Sequence, residues 1–186
     1  MKHEQEHKVG ALSHKISVNR LPQRGMPVRL EPNETERAEL ARDHGLVAVN
    51  SFSAELTVAK WRSDGVKVTG KLSADIVQTC SITLEPIDAH VENDIDAVFV
   101  PEHSKLARME TDANGEILLD AEGPDGPETF AGDQLDVGQV TEEFFELGID
   151  PYPKKPGAEL PPVADADREP AKVSPFAKLA SLKQKQ

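Results

Sequence analysis

The sequence predicts an α+β fold: an antiparallel β-meander packed with two helices, then a flexible proline-rich C-terminal segment ending in a short basic helix. Three observations carry this. Apolar and polar residues alternate along three long segments between Leu46 and Val100, the two-residue period of half-buried strands. Two helix starts stand outside those segments, at Asn33 and Asp136. Prolines 151, 153 and 156 then force an extended path. A sheet with one apolar face packs helices over it. The pattern leaves closure toward a barrel open.

Residues 1–13 are charged and lack apolar support, and read as a disordered terminus. His14 to Leu21 reads HKISVNRL, in which Ile16 and Val18 alternate with Lys15 and Ser17, a short strand. Arg20, Arg24 and Arg29 follow in what reads as a solvated, charged loop. Asn33 caps a helix of roughly Glu34 to His44. Glu36, three residues on, completes a capping box, and Glu34 and Glu36 suit the positive end of the helix dipole. Ala38, Leu40 and Ala41 give it a weak apolar stripe, and Gly45 supplies a left-handed end.

Leu46 to Trp61 is the first long strand, with Phe52, Ala54, Leu56 and Val58 inward. Asp64-Gly65 is a hairpin signal. The chain returns through Val66, Val68, Leu72, Ala74 and Ile76, turns over residues 81–87, and runs out again from Ala89 to Val100 with Val91, Ile95, Ala97 and Phe99 inward. An acidic loop near 101–133 breaks the pattern, with a short strand expected at Glu116 to Leu119. Asp136 caps a second helix, Val137 to Leu147, whose Val140, Phe144 and Leu147 stand at helical spacing with Phe145 alongside. These read as core packing against the sheet.

The α+β domain therefore spans 14–156, with a linker at 157–173 and a tail at 174–186. In the tail, Pro175 starts a turn or helix, Phe176, Leu179 and Leu182 form an apolar edge, and Lys178, Lys183 and Lys185 line the rest. About three turns of helix are too short to stand alone in water, so the tail is expected to fold against a partner or its own domain.

Composition bounds the function. Apolar residues make up 38% of 186 and aromatics only 4%, so the core must be aliphatic. The net charge of −12 is uneven: residues 1–84 carry +2, residues 85–170 carry −18 and residues 171–186 carry +4. An acidic body repels phosphate backbones. If the chain meets a nucleic acid, the termini are the better candidates, and the acidic middle suits a basic protein. No segment approaches the ~18 consecutive apolar residues of a membrane span. The start, MKHEQEHKV, has no apolar signal region. The single cysteine, Cys80, forms no internal disulfide, which points to the cytoplasm.

Catalytic signatures are weak. Cys80 is a candidate nucleophile, but its neighbours in sequence are Thr79, Ser81 and Thr83 rather than a base. It reads as buried packing. His3 and His7 stand four apart, but in a charged terminus. Asp112, Asn114 and Gly115 resemble the start of a calcium loop, yet Ala121 occupies the place of the closing Glu. There is no GxxxxGK[ST], GxGxxG or CxxC. No catalytic residue, cofactor, metal or small-molecule substrate is expected.

Several segments, taken in order, resemble the YceD-like family of large ribosomal RNA subunit accumulation proteins. They are VKVTGKLSADIVQTCSITLEPI (66–87), LDVGQVTEEFFELGIDPYPKKPG (135–157) and SPFAKLASLK (174–183), together with RLEP at 29–32. The resemblance spans about residues 14–183. Many members carry a second cysteine where this chain has Thr83, and some a further pair near the proline-rich exit. Here only Cys80 remains, so a tetrahedral thiolate zinc site is excluded. The chain is similar to the cysteine-poor, alphaproteobacterial version. The resemblance implies a ribosome-biogenesis factor, not an enzyme, that promotes accumulation or processing of large-subunit (23S) ribosomal RNA by binding. Its partners would be the large-subunit RNA precursor, ribosomal proteins, or both. The alternative is an acidic adaptor or chaperone for a basic ribosomal protein with no direct RNA contact. A hydrolase built on Cys80 is a distant third.

Overall fold

The structure is a computed structural model that describes residues 10–107 and 126–159. Residues 1–155 form one compact unit and residues 156–186 another. In chain order the first contains β1 (Lys15–Ser17), β2 (Met26–Leu30), α1 (Glu34–Asp43), β3 (Ala48–Trp61), β4 (Gly65–Thr79), β5 (Pro86–Pro101), β6 (Glu128–Phe130), β7 (Gln134–Asp136) and α2 (Val137–Gly148). Short 3-10 turns lie at Val18–Arg20 and Lys105–Ala107. The expected strand at Glu116 to Leu119 falls outside the described residues.

The main sheet runs β2-β3-β4-β5-β6, and β1 pairs with β7 in a separate two-stranded sheet. The first four strands are antiparallel, and β6 joins β5 in parallel. β2 and β6 do not pair, so the sheet stays open and does not close into a barrel. The reason lies in β6, which is three residues long and meets only Phe99–Pro101 of β5.

The expected meander is present and longer than its apolar pattern suggests. Along β4, Val66, Val68, Leu72, Ala74 and Ile76 are buried, and the residues between them face the other way. Gly70 stands opposite Leu56, and a Cβ there would collide with the Glu55 carbonyl and the Leu56 backbone. Side-chain bulk is therefore barred where β3 and β4 approach most closely.

Both helices pack on the buried face, α1 against β3 and α2 against β4 and β5. The Asn33 capping box is complete: its side chain accepts from Thr35 and Glu36 N–H, and Glu36 accepts from Asn33 N–H. Gly45 takes φ +65°, as its position after the helix requires. Asp136 caps α2 through the N–H groups of Gly138 and Gln139, and also accepts from His14 N–H at 2.8 Å and the Ser13 hydroxyl at 2.7 Å. One carboxylate thus starts the helix and anchors the N-terminal segment.

Four expectations are corrected. The Arg20–Arg29 stretch is not all loop, because Met26–Leu30 forms β2. Val28 and Leu30 are buried there, and Pro27 is tolerated on an edge strand, where no ladder N–H is needed. The strand at His14 to Leu21 shrinks to Lys15–Ser17 and passes into a 3-10 turn. Two short strands, β6 and β7, occupy sequence that carries no alternating pattern. The inward face of α2 is Val137, Val140, Thr141 and Phe145; Phe144 is half-buried and Leu147 exposed. Thr141 is admitted to the core because its hydroxyl donates to the Val137 carbonyl at 2.7 Å, which removes the cost of an unpaired polar group. Phe145 sits edge-on to Phe52, with ring centroids 5.3 Å apart.

Candidate functional site

The tail residues expected to contact a partner, Pro175, Phe176, Lys178, Leu179, Leu182, Lys183 and Lys185, all lie outside the described residues. So do His3, His7 and the Asp112–Ala121 segment. Within the described residues three features bear on function: the open face of the sheet, the turn around Cys80, and a buried contact that holds the N-terminal segment.

Strand alternation turns the charged residues of β3, β4 and β5 away from the helices, except Lys60, which follows the parity of Leu56 and Val58 at the end of β3. One cross-strand row runs Arg29, Glu55, Lys71, Asp94, alternating in sign from edge to edge. Lys71 reaches Asp94 at 3.2 Å and Lys67 reaches Asp96 at 2.9 Å. Asp75 accepts from the Ser51 hydroxyl at 2.6 Å and contacts His90 Nδ1 at 2.8 Å. Those two hydrogen bonds hold its carboxyl below the usual range. β5 contributes Asp88, Glu92, Asp94 and Asp96 to this face. Lys71 and Lys67 offset two of them, so the β5 side of the face stays acidic.

Cys80 directly follows β4 and is fully buried. Its turn is docked on the segment that leaves α2. Ser81 N–H donates to the Pro153 carbonyl at 2.8 Å, and Gln78 Nε2 donates to the Asp150 carbonyl at 2.8 Å. The sulfur accepts from Thr83 N–H and Lys155 N–H, each at 3.4 Å. Bonds from the Thr83 hydroxyl and from these amides favour the thiolate and bring the pKa to about 6, although burial acts against them. Lys155 also reaches Glu85 across the same junction at 2.7 Å, which raises the lysine pKa and lowers that of the acid. The thiol therefore serves as an acceptor joining the β4–β5 turn to the proline-rich exit. None of its hydrogen-bond partners is an imidazole. Among the described residues no cluster of three or more His, Cys, Asp or Glu side chains could hold a metal ion.

The buried contact was hidden in the sequence. His44, after α1, and Glu142, on α2, lie 3.3 Å apart with side chains about one-tenth exposed. Glu142 also accepts from Leu12 N–H at 3.2 Å. The neighbouring imidazole, then Leu12 N–H, hold Glu142 below the ordinary carboxylate value, while burial pushes its neighbour Glu143 up. Nothing in a spacing of 98 residues announces this pair. Two clefts, of about 210 and 260 Å³, flank the sheet. Both are smaller than the ~300–1,000 Å³ of small-molecule sites.

A family model described as "Large ribosomal RNA subunit accumulation protein YceD" matches residues 68–183. The chain belongs to the YceD family. The matched span takes in most of β4, the Cys80 turn, β5, α2 and the tail up to Lys183. It leaves out β2, α1 and β3. The YceD description links the chain to accumulation of large-subunit ribosomal RNA. No curated protein and no solved structure matches it. Among the described residues no helix is long and apolar enough to cross a membrane.

Proposed function

We propose that the chain is a cytoplasmic, non-catalytic binding factor that promotes accumulation or processing of 23S ribosomal RNA while the large subunit assembles. The observation that carries this reading is the YceD match over residues 68–183. An open, charged sheet face among the described residues supports a binding role. The tail, with Phe176, Leu179 and Leu182 as anchors and Lys178, Lys183 and Lys185 for phosphates, supplies a further docking element. Gradient sedimentation of growing-cell lysates tests the reading. The tagged chain should travel with large-subunit precursors and leave them as salt rises. A chain that stays at the top of the gradient in low salt contradicts it.

One observation favours a second reading. The carboxylates of β5 stand on the open face and suit a basic ribosomal protein, for which the chain would act as an adaptor without touching RNA. Recovery of such a protein after ribonuclease treatment, with no binding to naked RNA, would select this reading.

A further inference from the structure

The cations of the folded part fall into two sets. Arg29, Arg42, Lys67, Lys71 and Lys155 each lie within 4.0 Å of a carboxylate. Arg20, Arg24, Lys60 and Arg62 are exposed and have no carboxylate partner among the described residues. Lys15, Arg37, Lys105 and Lys154 also lack one, but they stand on four separate segments, and Arg37 is half-buried and donates to the Pro32 carbonyl.

Topology brings the four to one end of the sheet. β3 and β4 turn through residues 62–64, with Trp61 opposite Gly65. β2 runs beside β3 with Met26 opposite Val58, so Arg24 enters level with Lys60. The intervening Gly25 is packed against Thr57 and Ala59. The 3-10 turn ending in Arg20 closes the same end, since its Val18 and Asn19 share the 260 Å³ cleft with Lys60 and Gly65. Asp64 and Asp133 also line that cleft, and Asp64 accepts from the Ser63 hydroxyl at 2.9 Å.

Arg62 is held in place before any partner arrives. Its guanidinium carbon lies 4.3 Å from the centroid of the Trp61 ring. The Trp61 ring in turn lies across Gly65, where a Cβ would come within 2.7 Å of it. Arg62 adopts φ +52°, a left-handed conformation unfavourable for a residue with a Cβ. A stacked guanidinium loses less freedom when it binds phosphate, because its plane is already set. At the far end of β5, Asp88, Glu92 and Asp94 carry the opposite charge. Asp64, Glu102, Glu128 and Asp133 also stand near the hairpin end, so a polyanion would be steered to the four cations themselves rather than to that end as a whole.

We propose that this end of the sheet, formed by Arg20, Arg24, Lys60 and Arg62 around Trp61, binds the phosphodiester backbone of single-stranded RNA. The inference rests on the reading of the chain as a large-subunit RNA factor and adds a phosphate-binding surface on the sheet to the tail lysines already proposed. Four phosphate contacts give a slope of about −3 in log affinity against log salt, or about a 50-fold loss between roughly 50 and 200 mM.

The test is fluorescence anisotropy on the full chain with a labelled single-stranded fragment of large-subunit RNA. The variant Arg20→Ala/Arg24→Ala/Lys60→Ala/Arg62→Ala should keep its melting temperature, bind more weakly, and show a slope flatter by about 3 units. Lys67→Ala/Lys71→Ala, which removes paired cations, should bind like the intact chain. Equal weakening by both variants overturns the surface, as does full binding by the fourfold variant. An intact chain that binds polyglutamate as tightly as RNA overturns the choice of RNA. In deletion cells the fourfold variant should fail to restore large-subunit RNA where the intact chain restores it. Full rescue by the variant overturns this surface and leaves the proposed function standing. No RNA defect on deletion overturns the proposed function, whatever the anisotropy shows.

Discussion

Phe145→Ala probes the packing that joins α2 to the sheet. Phe145 is fully buried and meets Phe52 and His44 edge-on, at 5.3 and 5.4 Å. Emptying such a site costs about 3–5 kcal/mol, from lost transfer energy plus the cavity left behind. At roughly 2–4 °C per kcal/mol for a chain of this size, the melting temperature should fall by about 6–20 °C. The comparison that gives the experiment its force lies on the same helix. Leu147 is 77% exposed, so Leu147→Ala should stay within about 0.5 kcal/mol of the intact chain. Phe144→Ala should fall between the two. Thermal and urea unfolding followed by circular dichroism measure all three. If Leu147→Ala or Phe144→Ala costs as much as Phe145→Ala, the helix is turned to the other phase and the packing argument fails.

Other predictions follow from the same contacts. Glu142→Gln should destabilise by about 1–3 kcal/mol, because it weakens the anchor for Leu12 and removes the carboxylate beside the His44 ring. Its carboxyl is depressed in the folded chain, so this stabilisation is complete above the ordinary value of 4.5 and disappears as pH falls through the lower folded value. Glu143→Gln should be neutral or stabilising, since burial disfavours the ionised form there; a loss like that of Glu142→Gln would contradict this. The Cys80 thiol is held at about 6 against an ordinary 9.0. Its contribution should be full above pH 9.0 and disappear as pH falls through about 6. Unfolding midpoints of Cys80→Ala should therefore vary less over that range than those of the intact chain, and parallel curves would refute the assignment. Gly70→Ala should cost about 1–3 kcal/mol, because its Cβ meets the Glu55 carbonyl; an unchanged urea midpoint would show that the strands separate freely there. Cutting the chain after Arg168 separates the two roles of the tail: a docking tail leaves the melting temperature unchanged and loses its partner in a pull-down, whereas a tail packed on its own domain lowers the melting temperature.

Local chemistry made much of the fold legible. The Asn33–Glu36 capping box, Gly45, the Asp136 cap and the inward rows of β3, β4 and β5 are each set by neighbours within a few residues. What stayed hidden depends on distant partners. β2 alternates in Met26, Val28 and Leu30, but its arginines and Pro27 mask the period, and only pairing with β3 makes a strand of it. β6 and β7 are too short to show any period and exist through Phe99–Pro101 and Lys15–Ser17. The spacing of α2 put Phe144 and Leu147 inward, but packing of Phe145 against Phe52 and His44 on distant elements turns the helix to the Val137, Thr141 and Phe145 face. The same division holds for function. The tail candidates were visible as a pattern, whereas the unpaired cations emerge only when β2, the first 3-10 turn and the β3–β4 hairpin are brought together.

The central claim is that this chain serves the accumulation of large-subunit ribosomal RNA. The most direct test is the ratio of large- to small-subunit ribosomal RNA in cells with the gene, without it, and with the intact chain returned. Deletion should lower large-subunit RNA while mature small-subunit RNA is spared, and the intact chain should restore it. An unchanged ratio in the deletion would contradict the claim.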